Sequence, residues 1–148
     1  MMRGGAKRVA FERGDAVNRD ESAARRSSVE TEGEALSYEM AVTAARAASE
    51  MFANDVTIVD LRGLVSYTDY FVIASAETER QIRRVAEEVI VKMIEAGHRP
   101  RTKRVEEGTA WISLDFLDVV VHVLTDEARD YYRLESFWRS APQEHWED

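Results

Sequence analysis

The chain has no cysteine among its 148 residues, which rules out disulfides, zinc–thiolate sites and a thiol nucleophile. That fits a reducing compartment. No apolar run reaches the ~20 residues a membrane span needs. The start, "MMRGGAKRVAFERGD", has no apolar segment of the secretory kind, and a cytosolic protein is the expectation. Seven glycines occur, but never as GxGxxG or GxxxxGK, so no phosphate-cradling loop is present. GxSxG, HExxH and paired D-x-D carboxylates are absent as well. Nor is there an excess of positive charge. Residues 1–34 carry seven basic and seven acidic residues, while 35–148 carry thirteen and twenty-one, so the whole net charge of −8 lies on the latter. An acidic body opposes phosphate-driven nucleic-acid binding and suits solubility or a basic protein partner.

With 45% hydrophobic residues, the chain is long enough to bury a core as one domain. Residues 1–34 are polar and aperiodic and read as a disordered arm. From Leu36 to Phe52 apolar residues recur at helical spacing, with Asn54 as the expected stop. "DVTIVDL" (55–61) reads as a strand, and the unbroken "DYFVIASA" (69–76) as a central strand buried on both faces. "TERQ" (78–81) has capping-box form and opens a helix that Gly97 and Pro100 close. "RPRTKRVEE" (99–107) is a basic candidate edge strand. "AWISLDF" (110–116) and "DVVVHVL" (118–124) form a hairpin. Pairing Leu114 with Val119 would set Trp111 opposite His122 and Asp115 against Asp118, an unfavourable like-charge pair. Phe116 and Leu117 disfavour a tight turn, so a wider loop is expected. A helix from Asp126 through Trp138 and an acidic tail at 143–148 complete the chain. The fold class is α/β, one domain over 35–142, with a mixed sheet of about five strands flanked by helices.

Three functions compete. Asp69, Asp115, Asp118 and His122 could serve catalysis or a metal, but no complete acid–base or nucleophile set can be named; no cofactor is expected, and His122 between valines reads first as a core or interface histidine. "DYYRLESFW" (130–138) holds four aromatics in nine positions, as a base-stacking platform would, yet residues 126–148 carry seven acids against three arginines. The third function is protein binding. Tyr131, Leu134, Glu135 and Trp138 share one helical face, while Tyr132 and Phe137 lie on others. One face must pack inward, so core and contact readings of this helix stand level. Tyr, Trp and Arg are the usual interface anchors.

Taken together, "SYTDYFVIASAETERQI" (66–82), "EEGTAWISLDFLDVVVHVL" (106–124) and "EARDYYRLESFW" (127–138) resemble the ribosomal silencing factor family, RsfS or Iojap, over about residues 36–142. The resemblance implies a nucleotidyltransferase-like fold without the catalytic residues. It implies binding to the large ribosomal subunit through its L-fourteen protein, with steric block of subunit joining and lower translation when nutrients are short. Organellar relatives act in large-subunit assembly. The family's characteristic positions fall here on Asp69, Tyr70, Phe71, Arg80, Gln81, Trp111, Asp115, Asp118, His122, Tyr132, Leu134, Glu135 and Trp138. Of these, Trp111, Asp115, His122, Tyr132, Glu135 and Trp138 are expected at the partner surface, and Asp69, Tyr70 and Phe71 in support of the central strand. The family pattern has glycine near Ala76 and at Leu117, and a longer segment between Gly108 and Trp111. The competing functions are a nucleotide-handling enzyme on the same fold and an assembly factor with the same contact. An exposed aromatic face would also favour a homodimer when free.

Overall fold

The computed structural model describes residues 7–8, 28–104 and 109–147. In chain order the elements are β1 (Lys7–Arg8), α1 (Ser28–Glu50), β2 (Asn54–Asp60), β3 (Tyr70–Ala76), α2 (Glu79–Glu95), β4 (Thr102–Arg104), β5 (Trp111–Asp115), β6 (Val119–Thr125), α3 (Asp126–Tyr132), α4 (Leu134–Phe137) and β7 (Gln143–Glu147). The sheet order is β1-β7-β2-β3-β6-β5-β4. Among the described strands only β3 and β6 pair in parallel, from Tyr70↔Val119 to Ala76↔Thr125; the connection between them passes through α2, β4 and β5. Every residue of β3 is buried, as its apolar run predicts. All five expected strands form, and β1 and β7 extend the sheet beyond them.

The pleat divides the strands into two faces. Ile58, Tyr70, Val72, Ala74, Ile112, Leu114, Val121 and Val123 point to one face, which α1 and α2 cover. In α2 the capping box forms: Thr78 Oγ1 accepts from Gln81 N–H at 3.1 Å, and Thr78 N–H donates to Gln81 Oε1 at 3.0 Å. At its far end Gly97 takes φ 96°, and His98 N–H reaches back to Met93 O at 2.8 Å. That conformation is what a glycine at this position allows.

Four expectations are corrected. First, α1 begins at Ser28, so the boundary at residue 34 falls inside a helix. The sequence of its first turns is polar and carries no apolar periodicity to read; the rest of the expected arm, 1–6 and 9–27, lies outside the described residues. The helix also stops before Asn54, through Phe52 at φ 65°.

Second, the hairpin register is Leu114↔Val121 and Asp115↔Val120, two residues from the expected pairing. The turn is tight rather than the expected wider loop, with Phe116 N–H on Val119 O at 2.8 Å and Leu117 at φ 78°. Moving Asp118 into the turn separates it from Asp115, which removes the like-charge pair. A slip of two keeps every side chain on its face.

Third, the last helix breaks at Arg133, which lies in the left-handed region at φ 50°, ψ 54°. The face shared by Tyr131, Leu134 and Trp138 therefore does not exist as one face. Fourth, the acidic tail is strand β7. It pairs with β2 through Thr57↔His145, and it buries Glu144 and Trp146 beneath α1. Tyr38 O–H donates to Glu144 Oε1 at 2.8 Å, so this acid is held inside by a hydroxyl. The glycine departure at Ala76 is harmless: Ala76 is a buried strand residue with no positive φ.

Candidate partner-docking face

The second face of the sheet is only partly covered. Val59, Leu61, Phe71, Ile73 and Leu124 are buried there under Ala128 and Ala141. Helices α3 and α4 are too short to reach across β5. Trp111, Ser113 and Asp115 on β5, with Val120 on β6, therefore stay half-buried. Thr125 starts α3 by accepting from Ala128 N–H at 3.1 Å. Eight residues later the chain turns at Arg133, so Tyr131 and Tyr132 stand at the rim and Trp138 folds back over Phe71.

The outcome is a continuous aromatic path drawn from distant parts of the chain. Tyr131 meets Tyr132 with ring centres 5.0 Å apart, and Tyr132 meets Trp111 at 5.0 Å. Trp111 meets His122 at 5.8 Å, His122 meets Phe71 at 4.5 Å, and Phe71 meets Trp138 at 6.0 Å. The path is exposed at one end and buried at its middle: Tyr131 is 78% exposed and His122 only 9%.

His122 fastens its centre. Its Nδ1 accepts from Trp111 Nε1–H at 3.1 Å, which places the ring proton on Nε2. That Nε2 is buried and has no hydrogen-bond partner among the described residues. Burial disfavours the charged ring and brings its pKa down to about 4. The imidazole is thus a neutral acceptor that orients an indole.

Asp115 lies further along β5. Partial desolvation raises its pKa, but the hydrogen bonds from Arg101 and from Leu117 N–H, with the Arg101 charge, outweigh that and hold it below 3.8. Arg101 Nη2 reaches its Oδ2 at 2.8 Å. At the hairpin tip, Asp118 is pushed up by desolvation and then by the Asp69 charge, with His98 opposing. Among the described residues no three His, Asp or Glu side chains gather to hold a metal.

Of the six residues expected at the surface, the fold assembles Trp111, Asp115, His122 and Tyr132 on one face. Trp138 lies at its inner end. Glu135 is different: its carboxylate turns to Arg129, whose Nε donates to it at 2.8 Å. Arg129 escaped sequence reasoning, because the six-residue separation matches no helical spacing and its other partners are on strands. Phe137 and Leu117 are exposed at the margin. An open cavity of about 540 Å³ lies beside α3, lined by Asn54, Asp55, Ser75, Asp126, Arg129 and Glu135 among others.

The family model described as ribosomal silencing factor during starvation matches residues 34–148. The chain belongs to the ribosomal silencing factor family. It is 32% identical to the ribosomal silencing factor RsfS of Bacillus subtilis over 99 residues, covering 67% of this chain and 84% of that protein. It is 35% identical to the chloroplastic protein Iojap of Zea mays over 116 residues, which is 76% of this chain and 49% of that one. A mouse protein named for mitochondrial assembly of the ribosomal large subunit is 28% identical over 89 residues, 58% of this chain and 39% of its own. A crystal structure from Chromobacterium violaceum superposes with TM-score 0.66 at 32% identity, over 68% of this chain and 84% of that one. This silencing-factor domain includes β7, which the family match spans.

Proposed function

We propose that this silencing-factor domain binds the large ribosomal subunit through its L-fourteen protein, and that occupying that surface blocks subunit joining and lowers translation. The half-open aromatic face on an acidic body carries the reading. Trp111 and Tyr132 offer ring faces to the guanidinium and ammonium groups of a basic protein, and the surplus of acids draws such a protein in. Contact over ~800 Å² per partner is enough for specific binding, and a bound domain excludes a far larger particle by bulk alone. The chain acts by occupancy rather than catalysis, in the cytoplasm where subunits meet. In the absence of subunits the same face pairs two copies.

Purified chain mixed with large subunits and sedimented through a gradient tests this. It is expected to travel with the subunits and to prevent their joining with small subunits. Chain left at the top of the gradient at moderate salt would sink the proposal. The name of the mouse relative supports a second reading, large-subunit assembly through the same contact. Accumulation of immature subunits in cells lacking the protein, with joining unaffected, would favour it.

A further inference from the structure

The cap formed by α3 and α4 has little to hold it in place. The two helices have seven and four residues, too few to persist alone. No residue of α4 is buried, and Leu134 at its start and Trp138 just after it are only partly covered. The connection runs through a non-glycine residue in the left-handed region, a helix-end conformation that Arg133 N–H on Arg129 O supports but that a residue with a Cβ disfavours. Yet Trp138 is set edge-on against Phe71. This partial packing and one backbone bond leave room for a further group to fix the arrangement.

Arg129 has the contacts to do so. Its side chain is 11% exposed, and its guanidinium spreads over three elements. Nε and Nη2 donate to Glu135 on α4. Nη1 donates to Ser75 Oγ on β3 at 3.2 Å and to Asn54 O on β2 at 3.3 Å. Nη2 also reaches Thr57 Oγ1 on β2 at 3.3 Å. A planar fork with five donors satisfies this set; a lysine does not.

The geometry points to Arg129 as a positioning residue: by joining Glu135 to the ends of β2 and β3, it holds the turn at Arg133 and thereby sets Tyr132 over Trp111 and Trp138 over Phe71. It acts on the partner through these aromatics and makes no contact of its own. This deepens the docking proposal and rests on it for the binding readout alone. The arrangement of the face is measurable in the free chain.

The experiment labels the three tryptophans of the full chain with fluorine and compares wild type with Arg129→Met, Arg129→Lys and Glu135→Gln. Trp146 lies on the opposite face of the sheet and serves as internal control. The expected result is that Trp138 and Trp111 resonances move in each variant while Trp146 stays. Affinity for large subunits falls at least tenfold. The double variant Arg129→Met/Glu135→Gln loses no more than the worse single, because the two groups work as one unit. An unmoved Trp138 in folded Arg129→Lys and Glu135→Gln chains overturns the proposal, and so do three resonances shifting together, which mark a merely structural role. Moved resonances with unchanged affinity also overturn it. Wild-type chain that ignores large subunits defeats the docking reading by itself, and the fluorine spectra then decide the latch.

Discussion

Single residues carry the local compromises of this domain. Phe52 ends α1 in the left-handed region at φ 65° and is 90% exposed. Ala53 N–H on Ala48 O and Phe52 N–H on Ser49 O complete the cap around it. Such a conformation costs a non-glycine residue about 1 kcal/mol or more, and almost no packing offsets that here. Phe52→Gly is therefore expected to stabilise by about 1 kcal/mol, raising Tm by a few degrees in a thermal melt. His122 makes the opposite kind of compromise. The folded chain keeps it neutral down to about pH 4, whereas the unfolded chain protonates it near 6.5. The unfolded state thus binds the extra proton between those values. Stability is expected to be unaffected by this group above pH 6.5 and to fall by roughly 3 kcal/mol as pH drops to 4. Urea unfolding at successive pH values checks it: His122→Asn must show the shallower pH slope.

At the scale of elements, β7 does more than its acidic composition implies. It inserts between β2 and β1, places Trp146 under Arg46 with the guanidinium 5.7 Å from the ring centre, and gives Glu144 to Tyr38. Ending the chain at Pro142 would leave β2 with an unpaired edge and open the core beneath α1. Such a truncation is expected to lower Tm by more than 10 °C or to prevent folding; an unchanged melt would mean that β7 is dispensable. Elements with strong local signals were legible in the sequence: the Thr78 capping box, the buried run of β3, the basic edge of β4. The Arg133 break was not, since "DYYRLESFW" has helical spacing throughout and no glycine. The contacts that accompany the break, Arg129 to Glu135, Ser75 and Thr57 and Trp138 on Phe71, involve strands far away in the chain. For the same reason the alternating pattern of "QEHWE" was hidden by its charge.

For the molecule as a whole, a net negative body carries a half-open aromatic face. The acidic body should make binding to a basic surface weaken with salt, while the buried part of the aromatic path should not respond. Trp111→Ala is expected to reduce affinity for large subunits by tenfold or more without loss of the far-UV circular-dichroism signal. Loss of that signal would instead assign Trp111 to the core. Binding that stays constant from low to high salt would remove the electrostatic share of the proposal.

Composition, periodicity and motif order by themselves determined the α/β class, five of the strands, the direction of charge and the resemblance to silencing factors. These depend on neighbours in sequence or on sums over it. Tertiary structure alone decided which aromatics face outward, that Glu135 serves Arg129, and that the final residues complete the sheet. Those outcomes depend on which strand lies beside which, and on how far two short helices can reach across a sheet, and no local pattern of residues encodes either distance.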